Sequence, residues 1–273
     1  MRVNTFTASS PTSARISGGT VVTQKRDVCP ICGGNGKQTA EDVMPLWVRK
    51  ATLSLVPIDA SEYPPRMTLR ICRDCNSQMA ARYEDKASTV LAPMMANKPT
   101  TLSTRQQSII GRWFIKTTLL MNLADQLKRG GVILEDRDAL RRMNQDGAVR
   151  EGISIRIGRY SSIEGDPDGT LAQLELVVPG GYPASTAYYS ATTLGFVAFE
   201  MIICNPNSAI EFTSRLAGNQ RLVPIWPPAL APVAWPPAET LTREDLAAMR
   251  NELTRVAGSA GYRRFFQPPQ ATS

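Results

Sequence analysis

The stretches that decide this fold are Cys29-Pro30-Ile31-Cys32-Gly33-Gly34 and, further along the chain, Cys72-Arg73-Asp74-Cys75-Asn76. A Cys-x-x-Cys turn places two sulfur atoms on the same side of an ion, and a second such turn completes a tetrahedral shell. Glycines behind the first pair let the backbone turn tightly. The two pairs therefore predict a structural zinc site. Its ligands are expected to be the thiolates of Cys29, Cys32, Cys72 and Cys75.

Other interpretations of the cysteines are buried free thiols and a redox-active Cys-x-x-Cys. Neither accounts for two pairs that are each followed by turn residues. Disulfides require an oxidising compartment, and residues 1–24 lack the apolar segment of a secretory signal. The most apolar run, residues 192–204, is too short to span a membrane and contains Glu200. We therefore expect a cytoplasmic protein with no membrane partner.

Positive charge is concentrated in the half of the chain that carries the cysteine pairs. Residues 1–150 contain 22 Lys and Arg against 13 Asp and Glu, whereas residues 151–273 contain 9 against 11. A basic half favours a polyanionic partner, which we expect to be DNA, with RNA as an alternative. Ordinary solvated lysines and arginines are the competing interpretation. The candidate phosphate contacts are Arg49, Lys50, Arg66, Arg70, Arg73 and Arg82.

Hydrophobic periodicity predicts an α+β protein. Pro45 favours the first turn of a helix, and Ser103-x-x-Gln106 forms a capping box that opens a long helix over residues 104–128. After residue 150 the period changes to two, with strands expected at 153–160, 171–178, 186–193 and 195–204. A last amphipathic helix is expected at 241–256. Trp226 and Trp235, each followed by Pro-Pro, are expected to pack across the sheet; the alternative is a ligand for a proline-recognition module.

These patterns divide the chain into four segments. Residues 1–24 are expected to be a flexible tail, 25–150 a zinc-knuckle and helical domain, 151–260 a domain with a mostly antiparallel β-sheet and the C-terminal helix, and 261–273 a second flexible tail. Neither the oligomeric state nor a protein partner follows from the sequence.

The order Cys-x-x-Cys-Gly, then Glu41-Asp42-Val43-x-Pro45-x-Trp47, then Cys-x-x-Cys-Asn resembles HNH endonucleases of the zinc-knuckle kind, also called His-Me finger or ββα-metal nucleases. The resemblance covers residues 28–118. It implies a ββα-metal unit with packed helices, in which a hairpin and a helix hold a divalent ion, such as magnesium, against a phosphate. Carried onto this chain, Glu41 matches the acidic ligand, Asn76 the distal ligand, and Asp42 the position of the general base.

The chain departs from the family at that base, because it contains no histidine. A histidine with a pKa of about 6.5 accepts protons near neutral pH, whereas an exposed aspartate with a pKa of about 4 is a poorer acceptor. General base catalysis typically contributes about 10²–10⁴-fold, so most activity is expected to be lost. Asp42 could instead bind the divalent ion. Alternatively, Glu41 and Asp42 simply occupy the first turn of the helix that contains Trp47.

Three functions are compatible with these features. The one we favour is a zinc-stabilised, HNH-like module that binds nucleic acid and cleaves weakly or not at all. An active, divalent-metal-dependent endonuclease that hydrolyses DNA phosphodiesters is the first alternative. A scaffold that binds another protein is the second.

Overall fold

The computed structural model describes residues 21–22, 28–55, 67–128, 132–161, 172–177, 186–203, 221–248 and 262–264. The strands in this part of the chain are β1 (Val21–Val22), β2 (Gln38–Asp42), β3 (Thr68–Cys72), β4 (Thr100–Leu102), β5 (Val132–Ile133), β6 (Ile153–Tyr160), β7 (Ala172–Val177), β8 (Thr186–Leu194), β9 (Val197–Ile203), β10 (Val223–Trp226), β11 (Val233–Trp235), β12 (Thr240–Leu241) and β13 (Tyr262–Arg264). The helices are α1 (Leu46–Leu53), α2 (Arg73–Met79), α3 (Asp85–Met95), α4 (Thr104–Lys128) and α5 (Leu134–Asp146).

In the N-terminal part, strands β2 and β3 pair with each other although α1 lies between them in the chain, and β3 leads directly into α2. Strands β2 and β3 are antiparallel, with Gln38 opposite Cys72 and Asp42 opposite Thr68. Helix α2 begins at Arg73, the residue after β3. Asn76 therefore lies inside α2. Glu41 and Asp42 lie in β2, and not in the first turn of the Trp47 helix.

Helices α2 and α3 are joined by a π-helical turn over Ala80–Glu84. The buried face of this continuous segment repeats every four residues, at Met79, Tyr83, Ala87 and Leu91. Steps of four residues drift by about 40° each around a regular α-helix. The wider π turn offsets part of this drift. It keeps the four side chains directed at the same core.

Helix α4 passes through the middle of the molecule and matches the predicted residues 104–128. Its capping box forms as expected: the Ser103 N–H donates to Gln106 Oε1 at 2.9 Å, and the Gln106 N–H donates to Ser103 Oγ at 3.3 Å. Buried positions then follow along most of its length. A helix surrounded in this way serves as the packing surface for both halves of the chain.

The predicted strands form an antiparallel sheet among the described residues, in the order β10-β6-β9-β8-β7-β13. The short strand β12 lies parallel to β6 beside this path. In β6, Ile153, Ile155 and Ile157 are buried, whereas Ser154 between them is exposed. The predicted strand at 153–160 is therefore confirmed, and the isoleucines of its period-two pattern lie on the buried face.

The helical and β-rich halves share one hydrophobic core. Phe114 of α4 stacks on Phe199 of β9 with ring centroids 4.5 Å apart. Trp226 packs against Gly111 of α4, and Trp235 is 2% exposed in β11, which pairs with β4. Both tryptophans therefore pack onto the fold, but they do so against α4 and within the β11–β4 pair, and not across the sheet as the sequence predicted.

Short strands occur within both predicted tails of the chain. Val21–Val22, within the predicted N-terminal tail, pairs with β5, and Tyr262–Arg264, within the predicted C-terminal tail, pairs with β7. Of the predicted helix at 241–256, residues 243–248 are helical, Leu241 belongs to β12, and positions beyond 248 lie outside the described residues. Within the described part of the chain, no helix combines the length and apolar character needed to cross a bilayer.

Candidate metal centre and the adjacent carboxylates

Four cysteines from two separated turns meet at one point. The Sγ atoms of Cys29, Cys32, Cys72 and Cys75 all lie within 4.8 Å of one another. The Cys32 and Cys72 sulfur atoms are 3.6 Å apart. Zinc–sulfur bonds of about 2.3 Å in a tetrahedron separate the sulfur atoms by about 3.8 Å. The four thiols are therefore close enough to hold a metal ion, as the spacing of the pairs predicted.

The first pair is shaped by a tight glycine-containing turn. The Cys29 N–H donates to the Gly34 carbonyl at 2.8 Å, and the Gly33 N–H donates to the Cys29 carbonyl at 2.9 Å. Gly33 has a φ of +77°, a conformation that side chains disfavour. The Gly34 N–H is directed at Cys32 Sγ at 3.4 Å. Such a donor stabilises a thiolate, so the turn both positions and polarises the ligand.

The second pair sits where β3 becomes α2. Cys72 is the last residue of the strand and the N-cap of the helix, and Cys75 lies in the first turn of α2. The Arg73 N–H donates to the Lys37 carbonyl at 2.8 Å, which ties this junction to the segment that follows the first pair. Three of the thiols are buried, while Cys32 is exposed.

The thiols influence one another's ionisation. The pKa of Cys29 is lowered to about 4, chiefly because the Cys75 thiol donates a hydrogen bond to its sulfur, although burial opposes this effect. The same hydrogen bond, together with burial, raises the pKa of Cys75. Burial also raises the pKa of Cys72. Because neighbouring thiolates repel, four of them ionise together only with a cation between them.

Glu41 and Asn76 lie on the inner side of the strand pair. Asn76 Nδ2 of α2 donates to Thr39 Oγ1 of β2 at 3.0 Å. Residues two apart in a strand share a face, so Glu41 projects to the same side as Thr39. The helix residue and the acidic residue that the sequence singled out are thus on one side of β2.

Asp42 is on the other face of the strand. Successive side chains in β2 alternate, and Asp42 is opposite Thr68, with Arg70 of β3 on the same face. Arg70 is exposed, whereas Asp42 is half-buried. The strand therefore separates Asp42 from the face that carries Glu41 and Asn76.

Glu41 is engaged by a lysine from α4. Lys116 Nζ lies 3.7 Å from Glu41 Oε1 and donates a short hydrogen bond to Glu84 Oε1. The Lys116 side chain is 1% exposed. Burial raises the pKa of Glu41 to about 7, and the charges of Glu84 and Asp42 add to this effect, while Lys116 opposes it. The result is a carboxyl group that titrates near neutrality beside a buried ammonium.

Lys116 and Glu84 were not among the predicted site residues. Lys116 occurs within the apolar periodicity of α4, and a lysine at a buried helix position usually has a carboxylate partner. That signal indicates that a partner exists, without identifying it. Glu84 is 32 residues away in sequence, on the π turn.

The candidate phosphate contacts have different environments. Lys50, Arg70 and Arg73 are exposed, and Arg49 is half-buried. Arg82 is also exposed, but its guanidinium donates to the Gln145 carbonyl at 2.9 Å and so caps the end of α5. Arg66 lies outside the described residues.

Comparisons with protein-family models, curated proteins and solved structures gave no match to this chain.

Proposed function

We propose that this chain is a zinc-stabilised module of the HNH type that binds nucleic acid and cleaves it weakly or not at all. The observation that carries the proposal is the junction of β3 and α2, where four thiols converge on an antiparallel strand pair that runs directly into a helix. The sequence resemblance implies a β–β–α unit; in this chain β2, β3 and α2 correspond to its three elements, with α1 inserted between the two strands. Because Cys₄ sites favour zinc, we assign the ion as zinc with a structural role.

Exposed positive charge supports nucleic acid as the partner. Arg70 projects from the outer face of β3, and Arg73 begins α2 immediately beside the cysteine cluster. Both are exposed, so their guanidinium groups can contact phosphate oxygens without a rearrangement of the core. In this proposal the metal stabilises the backbone segment that carries these two arginines.

Two features support weak or absent cleavage. Asp42 takes the position of the family's histidine but projects from the face of β2 opposite to Glu41 and Asn76. Glu41, the expected acidic ligand, already contacts the ammonium of Lys116. A divalent ion would have to displace this buried ion pair before it could bind Glu41.

Binding can be tested with a fluorescent DNA duplex and anisotropy titrations over a range of salt concentrations. The R70A/R73A double variant is expected to weaken binding and to reduce the slope of log K against log salt by about 2, one for each phosphate contact. R105A is the matched control, because Arg105 is an exposed arginine at the start of α4. It lies about 17 Å along that helix from Lys116, the α4 residue that contacts β2 through Glu41. The proposal fails if the wild type does not bind DNA or RNA at low salt, or if R105A weakens binding as much as the double variant.

A second candidate, divalent-ion-dependent cleavage of DNA, is favoured by the position of Asn76 on the same side of β2 as Glu41. The corresponding magnesium ligands are Glu41 and Asn76; Asp42, the third ligand expected from the sequence, lies on the opposite face of β2. Plasmid nicking in magnesium or manganese tests it. Cleavage that D42A and N76A abolish would support this candidate over a non-cleaving module, whereas wild-type protein that leaves plasmid intact would eliminate it.

A further inference from the structure

Lys116 is a lysine that lies fully inside the core of the described part of the chain. It lies near the middle of α4, the residue is 0% exposed, and it has carboxylates from two other segments beside it. A buried ammonium without partners is strongly disfavoured by the loss of hydration. Its retention inside the core therefore depends on Glu41 and Glu84.

The two carboxylates reach Lys116 from different directions. Glu41 belongs to strand β2, and Glu84 is the last residue of the π turn. Tyr83, its neighbour, donates a hydrogen bond to the Met143 carbonyl of α5. Consecutive residues of the π turn thus contact two different helices: Glu84 contacts α4 and Tyr83 contacts α5. The turn places Glu84 beside the lysine while Tyr83 is buried.

Two carboxylates around one cation form the kind of oxygen site that a hard divalent ion binds. The side chains of Glu41 and Glu84 are 12% and 15% exposed, so the cluster is shielded from water. With Lys116 present, the cluster holds one positive charge for two carboxyl groups. Without it, two neighbouring carboxylates would repel each other in a medium that screens charge poorly.

We propose that Lys116 Nζ is the permanent cation of a two-carboxylate site formed by Glu41 and Glu84, and that it excludes divalent ions from this site. The site then binds magnesium or manganese only when the lysine is removed. This inference rests on the weak-cleavage part of the proposed function. It adds a reason for the weak cleavage: Lys116 prevents a catalytic ion from binding at Glu41. It does not depend on nucleic-acid binding.

The test uses zinc-loaded full-length protein, in which the thiol site is already filled by an ion that thiolates prefer to manganese. Manganese binding is measured by electron paramagnetic resonance for wild type, K116M and K116M/E84Q. Methionine fills much of the same volume without the charge. We expect K116M to bind one Mn²⁺ on the order of 10-fold or more tightly than wild type, since the repelling ammonium is gone. K116M/E84Q should lose this gain.

Thermal unfolding provides an independent readout. Manganese should raise the melting temperature of K116M, with little effect on wild type or on K116M/E84Q, because only a folded site that binds the ion is stabilised. If K116M does not fold in metal-free buffer, refolding with manganese replaces the titration. Recovery of the wild-type circular dichroism spectrum, lost again in K116M/E84Q, supports the proposal. No recovery overturns it.

Two further results would also overturn the inference: wild-type protein that binds manganese in a manner abolished by E41Q, and folded K116M that binds manganese no better than wild type. These outcomes are separate from those of the DNA titrations. A failure of R70A/R73A to weaken binding removes the proposed partner and leaves the assignment of Lys116 intact.

Discussion

The sulfur atoms of Cys32 and Cys72 lie 3.6 Å apart, although the two residues are 40 positions apart in sequence. Cys32 belongs to the glycine turn and Cys72 to the end of β3. An ion bound between them would cross-link two segments whose approach is otherwise maintained by the β2–β3 pairing and by the Arg73–Lys37 hydrogen bond. The metal and the strand pair thus stabilise the same junction.

We predict that purified protein contains one zinc ion per chain and that C72S loses it. Folding and metal binding are coupled in such sites, so C72S and chelator-treated wild type should both show a large fall in melting temperature. Metal content is measured by mass spectrometry, and stability by circular dichroism. The chain has five cysteines, which makes C204S the matched control, and it should retain the ion. Equal metal content in C72S and wild type would contradict the prediction.

We predict that Glu41 makes the protein less stable as pH rises. Its pKa is raised from 4.5 to about 7 by burial. Between these values the folded chain retains a proton that the unfolded chain has released, so the free energy of unfolding falls as pH increases. The difference between the two pKa values corresponds to a loss of at most about 3 kcal/mol in the free energy of unfolding.

Urea denaturation of zinc-loaded wild type and E41Q between pH 5 and pH 8 measures this effect. The stability of wild type relative to E41Q should decrease with pH and level off above pH 7. E151Q, which replaces an exposed carboxylate, is the control variant. A wild-type advantage over E41Q that grows with pH would show that the charge–charge attraction of Lys116 outweighs burial.

We predict that Q107A destabilises the protein by about 2–3 kcal/mol. The buried Gln107 side chain donates to the Leu102 and Ala231 carbonyls and accepts from the Ala229 N–H. Each such bond contributes about 1 kcal/mol, and their loss leaves buried backbone groups unpaired. T104A removes a nearby but exposed contact to the Ala229 carbonyl at 3.0 Å and should cost less. Equal losses in urea denaturation would refute the special role of Gln107.

We predict that G111A is destabilising, even though alanine is the better helix former. A Cβ atom at this position would lie 2.7 Å from Cε3 of Trp226, so the indole must shift. Overpacking typically costs about 1–3 kcal/mol, which exceeds the propensity gain of about 1 kcal/mol. In a W226L background the same substitution should cost less, because the crowded ring is absent. Additive effects in a double-mutant cycle would show that the two residues do not touch.

The sequence by itself determined the parts that depend on local pattern. Paired Cys-x-x-Cys turns indicated the thiol cluster because their spacing suits one tetrahedral ion. The Ser103–Gln106 capping box set the start of α4, and alternation in β6 identified its buried face. The capping box, the strand alternation and each single Cys-x-x-Cys turn arise from residues within a few positions of one another, where backbone geometry fixes the outcome. The two cysteine pairs are brought together by the pairing of β2 with β3.

Only the tertiary structure decided what surrounds the candidate site. Glu41 contacts Lys116, which also contacts Glu84; these two residues come from a separate helix and from a π turn. The opposite orientations of Glu41 and Asp42 required the knowledge that both lie in β2. Charges attract or repel according to their distance in space, and burial by segments far away in sequence shifts the pKa of a carboxyl group. The contacts of Glu41 and the direction of its pKa shift therefore could not be predicted from its neighbours in the chain.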